Sequence, residues 1–138
     1  MPDRHLLFVW NPLLCPTAIR DHVMVLRHPC ADAPRHVWWG RLYQGRRSDA
    51  DLLAKWAQLT EVVEAHRREQ RELVVFVTDY TSLHVMRVDQ VVLPGEPGPP
   101  PERIPAYYQT RSRVPLWLRV RDIRVLFVAA LTAAAATK

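Results

Sequence analysis

The stretch ELVVFVTDYTSLHVMRVDQVVL, residues 72–93, decides the fold class. Leu73 to Val77 form a continuous, largely β-branched run, the pattern of a central strand covered on both faces. Asp79, Tyr80, Thr81 and Ser82 supply turn chemistry, and a second β-branched run returns to Leu93. Two strands around a tight turn are therefore expected. Immediately before them, DADLLAKWAQLTEVVEAHRREQ, residues 49–70, repeats Leu52, Trp56, Leu59 and Val63 at the spacing of one helical face. Ser48 and Asp51 make a capping-box-like start, and the acidic residues come early while Arg67, Arg68 and Arg71 come late, as the helix dipole favours. One long helix over about 49–70, packed by its apolar face on the sheet, is predicted.

Working outward, HLLFVW (5–10) is a short apolar run stopped by Asn11 and Pro12 and reads as a strand. PTAIRDHVMVLRHP (16–29) follows and is read as a short helix with Thr17 as a candidate cap, although its β-branched HVMVL suits a strand equally well, and RHVWWGRLYQG (35–45) alternates as a second strand. In that strand Trp38 and Trp39 point to opposite faces, and Gly40 beside them implies close approach of another backbone or a ligand. PGEPGPPPERIPAYYQTRSRVP (94–115) holds most of the twelve prolines and is a rigid loop of the kind that carries binding residues. The chain enters VPLWLRVRDIRV (114–125) as its last strand and ends in VAALTAAAATK (128–138). This order predicts an α+β fold with a curled mixed or antiparallel sheet. A single domain over 1–130 is expected, with 131–138 a frayed alanine-rich tail or the start of a linker.

The 138 residues suffice for one core, and 49% hydrophobic against 24% charged residues is the balance of a folded chain. The net charge is +5, from seventeen arginines and two lysines against fourteen acidic residues. Arginine is the better phosphate fork and the better ring-stacking cation, so a nucleic acid or nucleotide partner is favoured. No P-loop, Gly-x-Gly-x-x-Gly, nucleophile elbow or His-Glu-x-x-His occurs. Cys15, His22, His28, Cys30 and His36 match no common zinc spacing, so no metal, no cofactor and no catalytic residue is assigned. No apolar run reaches the roughly 18 residues of a membrane span and no signal peptide is evident. A cytoplasmic chain with reduced cysteines is expected.

Aromatic residues interleaved with arginine are the main functional signal. With residues 111 to 121 extended, Arg111, Arg113, Trp117, Arg119 and Arg121 share one face, and Leu116, Leu118 and Val120 share the other. A cationic face holding a ring can neutralise phosphates and stack a base. The competing reading is an amphipathic edge strand whose charges keep other strands away.

The layout resembles the PUA-like superfamily, especially its EVE and YTH branches. HLLFVW, a helical segment and VWWG (37–40) are similar to the family's first strand, helix and tryptophan-bearing segment. LVVFVTDYTSLHVMRVDQVV (73–92) is similar to its central hairpin. PLWLRVRDI (115–123) is similar to its late W-x-x-V-x-D-V strand, with Trp117, Val120, Asp122 and Ile123 in the matching places. The resemblance implies an open-barrel domain that reads modified bases in DNA or RNA through a pocket of aromatic rings edged by basic residues. Trp38 or Trp39 is then one wall, and Tyr107 and Tyr108 stand where the YTH branch places the others, though this loop holds no tryptophan.

The function expected is a non-enzymatic nucleic acid or nucleotide binding domain, with a modified-base reader as its sharper form. Trp38, Trp39, Tyr107, Tyr108 and Trp117 are the candidate stacking residues; Arg111, Arg113, Arg119 and Arg121 are the candidate phosphate contacts. The alternative is a protein-interaction, sensor or adaptor module of a larger bacterial defence or regulatory assembly, because Trp and Arg are also enriched at protein interface hot spots.

Overall fold

The computed structural model describes residues 5–9, 18–28, 34–43, 45–78, 82–108 and 113–128, with backbone alone at 5–9, 78, 82, 107, 127 and 128. The elements in chain order are β1 (His5–Val9), α1 (Ala18–Arg27), β2 (Val37–Arg41), α2 (Asp49–Lys55), α3 (Ala57–Glu69), β3 (Leu73–Thr78), β4 (Ser82–Val92), a 3-10 turn (Ala106–Tyr108) and β5 (Leu116–Val128). The strands form one sheet in the order β1-β3-β4-β5-β2. β1 runs parallel to β3, and the other three pairs are antiparallel. The fold is thus α+β. In place of the expected curled, open-barrel arrangement the sheet is open, with β1 and β2 at its two edges.

The core lies on one face of this sheet. Cross-strand partners Val37 and Val120, Trp39 and Leu118, Leu73 and Val88, and Val75 and Met86 are all buried. Leu26 of α1 and Val63 of α3 join them, with Ile19, Leu53, Trp56 and Leu59 packed around. Full burial of a Val or Leu side chain stabilises by about 1.5–3 kcal/mol, so this cluster dominates the fold. The predicted split in β5 is present: Leu116, Leu118 and Val120 are buried while Trp117 and Arg119 are half-buried and Arg121 is exposed.

The predicted single helix is interrupted. Ser48 caps α2 by accepting the Asp51 N–H at 3.2 Å, but Trp56 leaves helical geometry at φ −101°, ψ 39° before α3 begins. Thr60 donates to the Trp56 carbonyl both from its N–H (2.9 Å) and from its hydroxyl (3.1 Å), a back-bond that bends helices. The Trp56 ring lies 5.0 Å from the Arg41 guanidinium and 6.4 Å, edge-on, from Tyr43. Contact with the end of β2 accompanies the bend, a tertiary influence that helical periodicity does not register.

The proline-rich loop starts in a tight turn over Leu93–Glu96, with Glu96 N–H donating to Leu93 O at 3.0 Å. Gly95 supplies the positive φ of 89° that its third position requires, and Pro94 sets the second. The loop then runs along the outer edge of β2. Trp38 N–H donates to Arg103 O (3.1 Å) and Gly40 N–H to the Tyr108 hydroxyl (2.7 Å) there, while Tyr43 N–H donates to Arg113 O (3.1 Å) and extends the pairing with β5. Arg103, held at φ 72°, also donates from Nη2 to the carbonyls of Val25 (2.6 Å) and His28 (2.5 Å) and from Nε to His36 O (2.9 Å). It ties the C-terminal end of α1 to β2, where a cation is favoured by the helix dipole.

Gly40 faces β5 where a side chain has no room: a Cβ there would clash with Val114 Cγ1 and sit 2.9 Å from the Trp117 ring. The space that the sequence suggested for a ligand or a backbone is filled by these two side chains. Gly40→Ala is expected to destabilise the fold by about 1–3 kcal/mol, the range for overpacking, whereas Gly98→Ala, with nothing within 4 Å, changes stability by less than about 0.5 kcal/mol. Urea unfolding of both variants measures the contrast.

Candidate functional site

The second face of the sheet carries the residues of opposite parity. Trp38 lies across from Arg119, which lies across from Gln90; Gly40 lies across from Trp117, which lies across from Val92. The loop residues Pro97 to Pro100 stand over this face and enclose a cleft of about 330 Å³ with His36, Trp38, Gln90, Val92 and Arg119. Its walls are apolar on the proline and valine side and hydrogen-bond donating on the other.

Two donors in the cleft wall are buried without an acceptor: Trp38 Nε1–H and Arg119 Nε–H. Trp38 is only 4% exposed, and leaving such a group unsatisfied costs about 1–3 kcal/mol. His36 lies edge-on to Trp38 at 6.4 Å. Its Nδ1–H donates to Pro34 O at 2.8 Å, so the 3.5 Å approach of Arg119 Nη2 to Nδ1 sets donor against donor. Asp89 lies 3.9 Å from Arg119 Nε and 3.7 Å from Arg121 Nε, beyond hydrogen-bond distance. One carboxylate thus serves two guanidinium groups. The wall presents N–H groups beside one shared carboxylate, whose Oδ1 is also buried without a hydrogen bond.

Asp89 and Arg121 owe their positions to irregular pairing. Arg87 pairs with Asp122 and Val88 with Val120, which leaves Arg121 as an extra residue in β5; the next pair, Gln90 with Arg119, leaves Asp89 as an extra residue in β4. Such bulges re-aim side chains. They bring the carboxylate and the guanidinium together at the crossing of the two strands.

The other predicted site residues are taken up elsewhere. Trp39 is 8% exposed and belongs to the core, with its ring 4.0 Å from His22. Tyr108 is buried, 4.9 Å from the Trp117 ring and edge-on to His22. Trp117 covers Gly40. Arg113 is ion-paired with Asp49, donates to Arg47 O at 2.6 Å and lies over the Tyr43 ring. The shared cationic face therefore reduces to Arg119 and Arg121, because Arg113 precedes β5 and turns to the start of α2. Of the rings expected to wall a pocket, Trp38 or Trp39 with Tyr107 and Tyr108, Trp39 and Tyr108 are packed inside against His22 of α1. The Tyr107 side chain, Arg111, Cys15, Cys30 and Thr17 lie outside what is described.

His22, weighed in the sequence only as one of five residues of a metal site, is the centre of a buried relay. Its Nδ1–H donates to Ala18 O at 2.6 Å, so the neutral ring accepts at Nε2 from the Tyr108 hydroxyl at 2.7 Å. That hydroxyl in turn accepts the Gly40 N–H. Its 3.2 Å approach to Gly40 O is the other use of the same single proton. Burial lowers the His22 pKa from 6.5 to about 4, with the bond to Ala18 acting in the opposite direction. The signal for His22 was its spacing, four residues after Ala18 and four before Leu26, both buried. Arg103 carried no sequence signal at all.

Among the described residues no three His, Cys, Asp or Glu side chains group as a metal site, and no helix is long and apolar enough to cross a membrane. No family model matches the chain, and neither a curated protein nor a solved structure matches it.

The relay sets a pH dependence. Between pH 6.5 and about 4 the unfolded chain binds the His22 proton and the folded chain does not, so this contribution to stability is complete above pH 6.5 and is lost as pH falls towards 4. The loss is about 3 kcal/mol in magnitude. Urea unfolding at pH 7 and pH 4.5 should show His22→Gln less stable than the parent at pH 7 and the gap narrowing at pH 4.5.

Proposed function

We propose that this chain is a non-enzymatic binding domain for nucleic acid or nucleotide, which enters the Trp38 cleft beneath the proline loop. One observation carries the reading: two buried N–H groups without acceptors, on Trp38 and Arg119, converge on a single cleft. A phosphate oxygen or a base-edge acceptor satisfies both. Arg119 supplies charge for the phosphate, and Val92 with Pro97, Pro99 and Pro100 offers apolar surface to a base or sugar. Gln90 can both donate and accept at a base edge. The PUA-like resemblance supports the same reading, because the tryptophan-bearing segment it matches to a pocket wall is the one that carries Trp38. Recognition of a modified base would then rest on Trp38 together with the cleft's shape, not on Trp39 or Tyr108.

A protein-interaction role is favoured by a separate feature. Val125 and Leu126, near the end of β5, are each 54% exposed, and adjacent exposed aliphatics on a strand suit a protein surface.

Fluorescence polarisation with labelled single-stranded and double-stranded DNA and RNA tests the main reading. Binding is expected at about 50 mM salt and should weaken steeply by about 200 mM, as counterion release requires. Trp38→Phe, which keeps a ring and removes the N–H, should weaken binding about 5-fold, the loss of roughly 1 kcal/mol for one hydrogen bond. Arg119→Gln should both weaken binding and flatten the salt dependence. Absence of binding to all four ligands at low salt overturns the proposal.

A further inference from the structure

A second cleft, of about 490 Å³, lies where β4 runs on past the start of β3. β3 begins at Leu73 opposite Val88, so Asp89 to Val92 have no β3 partner and border the C-terminal end of α3 instead. His66, Arg71, Gln90 and Arg121 line this space together with Glu72 and Asp89. His66 is 7% exposed, and its Nδ1 is buried with no hydrogen-bond partner. Its Nδ1 is a polar atom in the wall of the cleft that the fold leaves without a hydrogen bond.

The charges sort by partner. Arg67, at the rim, is spent: it donates to both oxygens of Glu96 (2.6 and 2.9 Å) and to Val91 O (2.7 Å). Those contacts hold the Glu96 carboxyl below its ordinary pKa. Glu72 is likewise spent on Arg87 at 2.6 Å. Arg121 meets Asp89 at 3.7 Å and shares it with Arg119 of the first cleft. Gln90 lines both clefts, so the two meet at that residue. Arg119 and Arg121 are two residues apart in β5, on either side of a register shift, and both reach Asp89.

We propose that the His66–Arg121 cleft is a second phosphate subsite continuous with the Trp38 cleft through Gln90, so that the ligand is a single-stranded oligonucleotide rather than a mononucleotide. One phosphate lies at Arg119 and the next at Arg121, where its oxygens meet the His66 ring, whose Nδ1 has no hydrogen-bond partner in the fold. The inference rests on the nucleotide reading of the first cleft and adds to it a direction and a minimum length for the ligand.

Isothermal titration of the full chain with thymidine monophosphate and with the 5′-phosphorylated dinucleotide pTpT tests it. The dinucleotide should bind at least 10-fold more tightly than the monophosphate. Arg121→Gln and His66→Gln should each bring that ratio to within about 2-fold of unity. Arg121 is exposed, so its variant tests the subsite even where His66→Gln unfolds, and circular dichroism reports which has happened. Equal affinities for the two ligands overturn the inference while leaving the nucleotide reading intact, and failure of both to bind removes both. A ratio that persists in Arg121→Gln places the second phosphate elsewhere and overturns it. So does an oligoaspartate peptide binding more tightly than pTpT, which would assign the track to a protein segment.

Discussion

An edge strand must do something with its outward N–H and C=O groups, and in this protein β2 gives them to the loop that follows β4. Arg103 O takes the Trp38 N–H and the Tyr108 hydroxyl takes the Gly40 N–H. The same loop residues reach past β2 to α1, through Arg103 to Val25 and His28 and through Tyr108 to His22. Helix, edge strand and loop are thus one hydrogen-bonded unit. The placement of Trp38 follows from it, because a tryptophan on a loosely held edge would not keep its N–H buried in a cleft wall.

Against that satisfied edge, the face above it holds buried polar atoms without hydrogen-bond partners, Asp89 Oδ1 among them. Every backbone N–H named along the edge has a carbonyl or hydroxyl within about 3 Å, while Trp38 Nε1, Arg119 Nε and His66 Nδ1 have none. Three such groups at 1–3 kcal/mol each are a sizeable fraction of the 5–15 kcal/mol by which a domain is stable. A fold that binds nothing would gain by replacing them with apolar residues, as it has done with Val37, Leu118 and Val120 on the opposite face. Their concentration around two clefts that share Gln90 is what gives the binding reading its weight.

Much of this was legible in the chain. The alternation Leu116, Leu118, Val120 marked the buried side of β5, and the runs at 73–77 and 83–92 marked a hairpin, because apolar period and β-branching respond directly to burial. What escaped was set by contacts distant in sequence. The break at Trp56 goes with Arg41 and Tyr43, and the loss of Trp39 and Tyr108 to the core depends on how α1 docks. Alternation also fails beyond Val120, since bulges at Asp89 and Arg121 shift the phase on each strand, and no local signal announces them. Arg113 shares the parity of Arg119 and Arg121, yet it lies before the strand begins and pairs with Asp49. Gly40 was correctly singled out as a point of close approach, with the wrong occupant: Trp117 and Val114 fill the space themselves.

The arrangement of β2 has a consequence for the order in which the protein assembles. The partners of this strand come from late in the chain: the Tyr108 hydroxyl that bonds Gly40 is 68 residues away in sequence, and β5 begins at Leu116. β3 and β4, by contrast, are separated by only three residues in sequence and can pair as soon as both exist. During synthesis β2 therefore waits as an unpaired strand with two adjacent tryptophans, while more than sixty residues are added. Such an interval is when a chain is most open to association with its neighbours. Arg35 and Arg41 bracket the strand core, and charges in that position act as gatekeepers against strand stacking. On this view part of the arginine bias guards the nascent chain, separately from whatever the finished domain binds.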